Sequence, residues 1–352
     1  MKKDQKHLIF ITPAFPTNEQ ELDCVTSVQT LVEGFKINYP KLKISVISLH
    51  YPHHHHYKWY DIPIYSAGAN LRKYHFRLLL YWRVFKQFRQ IYKPSEETVI
   101  NCFWVSESTF IGKALAKYYG LKLVANIYGQ DAKKTNKYLK ILPLKSIIVT
   151  CGSTQSAATF ERNTGRKVDH IIPRGLDDWR WQNLDLSGER PIDIIGVGNL
   201  YPLKNYPLFI ELIHDLKADF PQIQALILGE GGDREQLQNL IDSLDLNDNI
   251  SLLGAVSREK VLQKMTESKL FLHTSNSEGQ AYVLLEALFA GQHVVTTDVG
   301  RLDHSRLFVG KNQLELKQHL SRLLSQKLDT TAVPLPSMSD TVKQYYRVFF
   351  ED

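Results

Sequence analysis

The chain has 352 residues, which is long for one hydrophobic core and predicts two domains of roughly 150 residues each. With 43% hydrophobic and 23% charged residues, it has the composition of a soluble globular protein, and no apolar run approaches the ~18 residues of a membrane span. The net charge of +6 divides into +13 for residues 1–172 and −7 for the remainder. We expect either that the basic half meets an anionic surface or that its lysines are simply solvated.

Strand-like and helix-like segments alternate along the chain, a pattern typical of parallel α/β layers. In the first half we expect helices near residues 22–38, 75–93, 107–119 and 153–163. The strands predicted between them are HLIFIT, KISVISL, TVINCF, KLVANI and SIIVT.

A linker rich in Gly, Pro and Asp follows at residues 171–191 and interrupts the periodicity. The second strand series beyond it comprises IDIIGVG, IQALILG, ISLLG, LFLHTS and HVVTTD. We therefore predict a first domain over 1–175, a second over 176–330, and a tail over 331–352 whose last helix returns to the first domain. Two doubly wound domains imply a ligand cleft where the carboxyl ends of their strands face each other.

The segment GVGNLYPLKN, residues 196–205, places Lys204 just before a predicted helix. A loop that leads into a helix N-terminus offers N–H groups and a positive dipole end, and a lysine there completes a phosphate site. The alternative is an ordinary surface lysine at a helix start.

A second glycine-rich turn, LGEGGDREQL, spans residues 228–237. Gly231 and Gly232 permit a close backbone approach. Because the segment has neither the dinucleotide fingerprint nor the P-loop spacing, we favour a tight strand-to-helix turn capped by Asp233.

The segment SNSEGQAYVLLEALFAG, residues 275–291, contains two glutamates with seven residues between them. Glu278 lies in a polar turn, and Glu286 lies in an apolar helix predicted from about Gln280 to Ala290. A buried carboxylate needs a partner. Either the hydroxyl groups of a ligand bind both carboxylates, or Glu278 caps the helix and Glu286 pairs with an arginine.

This block resembles the Glu-x7-Glu signature of the retaining glycosyltransferases of family 4, which have the GT-B fold. Further segments resemble that family in the same order: NIYGQD, IIPRGLD, GVGNLYPLKNY, LILGEGGDREQL and ISLLGAV. The resemblance implies two Rossmann-like α/β domains, an acceptor bound by the first and a nucleotide-sugar donor bound by the second. It implies neither a metal ion nor another cofactor, and nucleic acid is not expected as a partner.

The resemblance also implies roles for individual residues. Glu286 would bind the ribose hydroxyls, Glu278 the hydroxyls of the transferred sugar, and Lys204 the diphosphate. Asp131 would position the acceptor, and the segment around Gly254 would contact the base. The backbone N–H groups expected to face the diphosphate and the sugar are those of Gly279, Gln280 and Ala281.

Three positions depart from the family pattern. Asn199 stands where an arginine binds the diphosphate, Tyr128 where a histidine occupies the turn, and His293 where proline is usual. Arg301 is the candidate to replace the missing charge. These departures leave two alternatives open, a catalytically impaired subunit that only binds nucleotide and a non-transferring GT-B nucleotide-sugar epimerase.

The stretch RKYHFRLLLYWRVFKQFRQIYK, residues 72–93, contains seven basic residues and no acidic one. On a helix, Leu80, Val84, Phe88 and Ile91 would form one apolar stripe. The opposite side would combine Arg83, Lys86, Arg89 and Lys93 with Leu79 and Trp82. This pattern predicts either a helix that binds an anionic membrane surface, near a lipid-linked glycan acceptor, or a packed surface helix.

Three minor features complete the prediction. The histidines at 53–56 are interpreted as a solvated loop in preference to a metal site. The three cysteines, Cys24, Cys102 and Cys151, are expected to be buried thiols in a reducing compartment. Because the first residues lack a secretory h-region, we expect a cytoplasmic protein, either free or peripheral to the inner face of a membrane.

Overall fold

The structure is a computed structural model that describes residues 5–21, 24–53, 56–68, 77–276, 282–299 and 304–351. The chain divides into two compact units. The first unit comprises Met1–Asp177 together with Pro336–Asp352, and the second comprises Asp178–Leu335. Among the described residues, every helix is too short or too polar to cross a membrane.

A sheet of eight strands forms the centre of the first unit as far as it is described. The strands are β1 (Gln5–Ala14), β2 (Lys43–Tyr51), β3 (His56–Trp59), β4 (Ile62–Ser66), β5 (Glu96–Phe103), β6 (Lys122–Ile127), β7 (Ile148–Cys151) and β8 (His170–Ile171). Their order is β3-β4-β2-β1-β5-β6-β7-β8. All neighbours are parallel except β3 and β4, which are antiparallel.

Helices cover this sheet, and strand β1 is therefore buried over its central run from Leu8 to Ile11. The helices of the first unit are α1 (Thr26–Asn38), α2 (Arg77–Ile91), α3 (Glu107–Tyr119), α4 (Tyr138–Ile141), α5 (Thr154–Thr164) and α11 (Met338–Phe350). The apolar stripe predicted for α2 is confirmed, because its four residues are all less than 5% exposed.

The C-terminal helix α11 packs against α1 within the first unit. The rings of Tyr39 and Tyr346 stack with their centroids 4.1 Å apart. The helix begins at Met338, where the hydroxyl of the preceding Ser337 caps it by accepting the backbone N–H of Asp340 at 3.1 Å. A side chain at Gly175 would collide with Ser337, so this glycine allows the returning tail to approach the chain.

The β3–β4 hairpin was not predicted. Its turn consists of Tyr60 and Asp61, which both have positive φ (45° and 62°). Two-residue hairpin turns of this handedness usually contain Asn or Gly, so the sequence lacks the expected turn signal. Trp59 anchors the hairpin by packing edge-on against Phe15, with ring centroids 5.1 Å apart. Of the histidine run, residues 54–55 lie outside the described residues.

The second unit contains a parallel sheet of six described strands. They are β9 (Ile192–Val197), β10 (Ala225–Leu228), β11 (Ile250–Gly254), β12 (Ser268–His273), β13 (His293–Thr297) and β14 (Leu307–Gly310). The order is β11-β10-β9-β12-β13-β14. The described helices of this unit are α6 (Tyr206–Lys217), α7 (Arg234–Ser243), α8 (Arg258–Thr266), α9 (Tyr282–Phe289) and α10 (Gln313–Leu324).

Cys24, Cys102 and Cys151 all lie among the described residues, and no disulfide joins them. Cys102 and Cys151 are buried at the ends of β5 and β7, as predicted, whereas Cys24 is only half-buried. Burial raises the pKa of both buried thiols, which keeps them protonated and unreactive.

Candidate active site

The strand order of the second sheet identifies where a ligand site belongs. Starting from β9, the chain first adds β10 and β11 on one side and then β12, β13 and β14 on the other. The order therefore reverses between β9 and β12, and the loops after these two strands diverge at the carboxyl edge of the sheet. Open α/β sheets bind their ligands in the crevice formed at this point.

Lys204 lies in the loop after β9, on one side of this reversal. A short 3-10 turn, Pro202–Lys204, leads through Asn205 in the left-handed conformation (φ 50°) into α6. A Cβ built on Gly198 would lie 3.1 Å from Cε of Lys204, so the lysine side chain crosses this glycine. The charge thus lies beside the N-terminus of α6, where the helix dipole also favours anions.

The turn after β10 packs directly against the Lys204 loop. Gly229 has φ 148°, and a Cβ there would lie 2.0 Å from the carbonyl oxygen of Gly198. A Cβ on Gly231 would lie 2.4 Å from the carbonyl oxygen of Leu200. The two glycines therefore allow backbone to pack on backbone, which fixes the loop that holds the lysine.

Two sequence predictions for this turn are wrong in detail. A Cβ on Gly232 would meet no atom within 4 Å among the described residues, so of the two glycines predicted to permit a close approach, Gly231 does and Gly232 does not. Asp233 precedes α7, but its side chain forms no capping hydrogen bond there. Asn199, at the position of the missing arginine, is exposed in the neighbouring loop.

Gly254, the predicted base contact, ends β11 at the same edge of the sheet. It has φ 79°, and its backbone carbonyl accepts the N–H of Gly229 at 3.1 Å. A Cβ here would lie 3.1 Å from the carboxylate of Glu230 and 3.3 Å from the guanidinium of Arg234. These two side chains pair with each other at 3.2 Å. The position predicted to contact the base therefore lies next to an ion pair.

Glu286 is buried in α9, as predicted, with 1% of the residue exposed. Its carboxylate contacts the guanidinium of Arg258, which begins α8 after β11. The pairing with an arginine, which the sequence left open as an alternative, is therefore present. Arg258 was not identified from the sequence because no spacing rule links it to a glutamate 28 residues later.

The chain that leaves β12 is polar and buried. His273 bonds through Nδ1 to the Thr296 hydroxyl at 3.2 Å and through Nε2 to the Ser275 hydroxyl at 3.1 Å. The hydroxyl of Thr274 donates to the carbonyl oxygen of Lys204 at 2.9 Å. The loop after β12 is thus bonded to the loop after β9, and both sides of the reversal form one connected structure.

Five predicted site residues lie outside the described residues, and their roles stay predictions. They are Glu278, Gly279, Gln280, Ala281 and Arg301.

In the first unit, Asp131 follows β6 and is 8% exposed. Its two oxygens accept the backbone N–H groups of Val105 and Tyr128, each at 2.9 Å. Burial raises the pKa of the carboxyl group, and these hydrogen bonds oppose the rise. Asp131 therefore clamps the loop after β6 to the loop after β5, and its predicted contact with an acceptor stays a prediction.

Tyr128 packs its ring against Trp104 with centroids 5.0 Å apart. Burial raises the pKa of its phenol, so the hydroxyl stays neutral at physiological pH. Compared with the histidine of the family pattern, this position carries an aromatic packing residue that does not titrate near neutrality.

A polar cluster that sequence reasoning missed lies at the carboxyl edge of the first sheet. Glu107, at the start of α3, pairs with His50 of β2 at 3.2 Å and accepts the Tyr81 hydroxyl at 3.1 Å. The hydrogen bond from His50, together with that from Tyr81 and the charge of Arg77, lowers the pKa of the Glu107 carboxyl group. The cluster joins residues from β2, α2 and α3 that are far apart in the chain.

His293, which stands where the family pattern has proline, has a structural role. Its Nε2 lies 3.1 Å from the carbonyl oxygen of Asp329, and its ring stacks on Phe308 with centroids 6.3 Å apart. Burial lowers the pKa of this imidazole. His293 begins β13, at the end of the strand opposite to the ligand edge.

The second unit matches a known protein family. Residues 177–327 match the family described as "Glycosyl transferases group 1". A phosphatidylinositol N-acetylglucosaminyltransferase gpi3 subunit from Schizosaccharomyces pombe is 28% identical over 220 residues, which are 60% of this chain and 48% of that protein. The chain thus spans about half the length of this relative.

A Campylobacter jejuni relative is 35% identical over 105 residues, 30% of this chain and 27% of that protein. Its name is N-acetylgalactosamine-N,N'-diacetylbacillosaminyl-diphospho-undecaprenol 4-alpha-N-acetylgalactosaminyltransferase.

The whole chain is similar in fold to solved structures. The structure of Anabaena Alr3699/HepE in complex with UDP and glucose has a TM-score of 0.68 and 16% identity, and the match covers 98% of this chain and 96% of that one. The chain therefore has the GT-B fold, and its residues 177–327 match the Glycosyl transferases group 1 family.

Proposed function

We propose that this protein is a retaining glycosyltransferase that moves a sugar from a nucleotide-diphosphate donor to a glycan or lipid-linked glycan. The observation that carries the proposal is the arrangement at the strand reversal of the second unit. There the Lys204 side chain crosses Gly198 beside a helix N-terminus, and the buried carboxylate of Glu286 lies in the helix that follows β12.

The same edge would supply contacts for the base, the ribose and the diphosphate of a nucleotide-sugar donor. Lys204 would stabilise the diphosphate, and Glu286 would accept hydrogen bonds from the ribose hydroxyls. Gly254 would border the base, and the amide of Asn199 would contact the diphosphate without the charge of an arginine. Because a lysine and helix N-termini can stabilise the leaving diphosphate, the proposal requires no metal ion.

We propose UDP as the nucleotide and an N-acetylhexosamine as the sugar. HepE, which shares the fold, was solved with UDP and glucose. The names of the fission yeast and Campylobacter relatives specify N-acetylglucosamine and N-acetylgalactosamine transfer, and the acceptors in those names are lipids or lipid-linked glycans. These names support the choice of donor and of a lipid-linked acceptor.

In the proposed step, the bond between the anomeric carbon and the diphosphate oxygen breaks. The acceptor oxygen bonds to the anomeric carbon from the same face, and the acceptor proton passes to the departing phosphate. This course retains the anomeric configuration and needs no strong protein base. Glu278 would orient the hydroxyls of the sugar, and Asp131 would hold the loop that positions the acceptor.

A panel of nucleotide-sugars tests the proposal. The protein is incubated with UDP, GDP and ADP sugars, and release of free nucleotide is measured with and without a lipid-linked glycan acceptor. We expect release from UDP-N-acetylhexosamines that increases when the acceptor is added. Absence of release from every donor, with or without acceptor, would contradict a transferase.

A second candidate is a subunit that binds nucleotide but does not transfer sugar. Two observations favour it: Glu286 already has Arg258 as a partner, and Asn199 removes a charge from the diphosphate site. Calorimetric binding of UDP together with no release from any donor would establish this function, whereas release would exclude it.

A further inference from the structure

An exposed apolar surface lies on the first unit, on helices α2 and α3. We call it the α2–α3 face, and its members are Leu78, Leu79, Trp82, Phe110 and Tyr118. Leu78 is 78% exposed, Tyr118 71% and Trp82 59%. Large apolar side chains that cluster at the surface mark a site of interaction, whereas isolated ones do not.

Contacts between the two helices show that these side chains form one surface. The ring of Tyr81 on α2 packs against Phe110 on α3 with centroids 5.9 Å apart. One turn further along, Phe85 packs against Tyr118 at 5.1 Å. The half-buried rings of Tyr81 and Phe85 therefore connect the exposed residues of α2 with those of α3.

Basic side chains border this surface. Lys86 and Arg89 follow Trp82 on the exposed side of α2, Lys93 is exposed just beyond the end of that helix, and Lys117 is exposed on α3. The ammonium group of Lys86 lies 5.3 Å from the ring centre of Trp82. Amphipathic lysines in this position can bury their carbon stems against an apolar layer while the charges stay in water.

Acidic side chains contribute little to this face. Along α2 and α3, which are described in full, Glu107 is the single acidic residue. Its carboxylate is held by His50, Tyr81 and Arg77 at the start of α3. The face therefore presents a positive rim around an apolar and aromatic centre.

The structure corrects one part of the sequence prediction. Arg83 is only half-exposed, and its guanidinium donates to the carbonyl oxygen of Ala67 at 3.0 Å. It therefore ties α2 to the end of β4 and is unsuitable for testing surface charge. The substitutions chosen to test the charge of the rim are those of Lys86, Arg89 and Lys93, which are all exposed.

We propose that the α2–α3 face docks the protein reversibly on an anionic membrane surface. Tryptophan, tyrosine and leucine side chains enter the boundary between headgroups and acyl chains, and lysine and arginine attract anionic headgroups. A protein partner fits this face less well, because protein interfaces are depleted in lysine. The proposal goes beyond glycosyl transfer, and it is tested without reference to activity.

Sedimentation with liposomes tests the charge contribution. The full chain is mixed at low salt with vesicles of phosphatidylcholine alone or with added phosphatidylglycerol. We expect binding that rises with anionic lipid and falls with salt. The triple variant Lys86→Gln, Arg89→Gln, Lys93→Gln should lose about 100-fold in partitioning, since each basic residue contributes about a factor of five. A control variant, Lys41→Gln, Lys58→Gln, Lys167→Gln, removes the same charge outside the face and should bind nearly normally.

Tryptophan fluorescence tests insertion of the apolar centre. The structure describes all five tryptophans of the chain, and Trp82 is the only exposed one among them. Anionic vesicles should therefore shift the emission to the blue in the wild type but not in Trp82→Phe. The variant Leu78→Ala, Trp82→Ala should bind vesicles at least tenfold more weakly and keep its circular dichroism spectrum.

Several outcomes would overturn the proposal. One is that the wild type binds neither neutral nor anionic vesicles at low salt. Another is vesicle binding that both triple variants retain equally. A third is a dimer in sedimentation velocity that Leu78→Ala, Trp82→Ala converts to a monomer, with no vesicle binding by the wild type. That result would assign the face to a second copy of this chain.

Discussion

At the scale of single residues, the paired carboxylate of Glu286 is central to the account. A carboxylate that is 1% exposed is costly unless a charge or several hydrogen bonds compensate it, and Arg258 provides the charge. A ribose would therefore bind beside an existing ion pair. We infer that nucleotide either displaces the guanidinium or shares the carboxylate with it.

Substitution of Glu286 tests the ribose contact. Glu286→Gln keeps the size of the side chain but removes the charge that the ribose hydroxyls would bind. We expect UDP binding to weaken by ~1–3 kcal/mol, the range for a hydrogen bond to a charged group. Isothermal titration calorimetry measures it, with the exposed Glu259→Gln on α8 as the control. Unchanged UDP affinity in a folded Glu286→Gln protein would rule out this contact.

Substitution of Lys204 tests the diphosphate contact. With Asn199 in the arginine position, Lys204→Ala should remove most of the side-chain charge that stabilises the leaving group. We expect turnover to fall by ~10²-fold or more, comparable with loss of a transition-state donor. Lys217→Ala, at the other end of α6, is the matched control and should leave turnover near the wild-type value. A fully active Lys204→Ala enzyme would show that the lysine has only a structural role.

At the scale of elements, the loops after β9 and β10 depend on glycines that allow backbone contact. Gly229 has φ 148°, and a Cβ added to it would collide with the carbonyl oxygen of Gly198. A Cβ added to Gly232 would meet no atom of the described residues within 4 Å. Strands β1, β2 and β5 of the first unit are joined in another way, by a buried polar cluster. His7 contacts Ser45 and Glu96 at 2.9 Å each, and Lys43 pairs with Glu96 at 2.9 Å.

The two glycines of the β10 turn offer a matched comparison. Gly229→Ala combines an unfavourable φ with a collision against backbone, and it should lower the free energy of unfolding by ~2 kcal/mol or more. Gly232→Ala should change it by less than about 0.5 kcal/mol, as surface substitutions usually do. Urea denaturation measures both values. Equal stabilities of the two variants would contradict the packing described for this turn.

The cluster at His7 predicts a pH dependence of stability. Burial lowers the pKa of the imidazole to about 4. The positive charge of Lys43 also lowers this pKa, whereas the carboxylate of Glu96 raises it. The folded protein therefore keeps His7 neutral where the unfolded chain, with a pKa near 6.5, is protonated. This contribution is complete above pH 6.5 and is lost as the pH falls toward 4. Between pH 7 and pH 5 it amounts to about 2 kcal/mol.

Urea denaturation at the two pH values measures this loss, and His7→Gln serves as the comparison because glutamine does not titrate. The variant should lose about 2 kcal/mol less than the wild type between pH 7 and pH 5. The same pH dependence in both proteins would show that His7 is not responsible.

At the scale of the whole molecule, the alternation of apolar strands with periodic helices predicted two doubly wound α/β domains, and the resemblance to family 4 implied the GT-B fold; both predictions are confirmed. It missed the β3–β4 hairpin, whose turn carries Tyr60 and Asp61 at positive φ. In the candidate site, Lys204 and Glu286 could be singled out because they lie in motifs with fixed spacing, and their contacts with a donor stay predictions. The partner Arg258 and the His50–Glu107 pair depend on contacts between distant segments, which local patterns do not encode.

Transfer to a lipid-linked acceptor, followed by determination of the anomeric configuration of the new linkage by NMR, tests the central claim most directly. The protein is given a UDP-α-linked N-acetylhexosamine and an undecaprenyl-diphosphate glycan. Retaining transfer predicts an α-linked product, made by the wild type and at least ~10²-fold more slowly by Lys204→Ala. A β-linked product, or no product from a protein that binds UDP, would contradict the account.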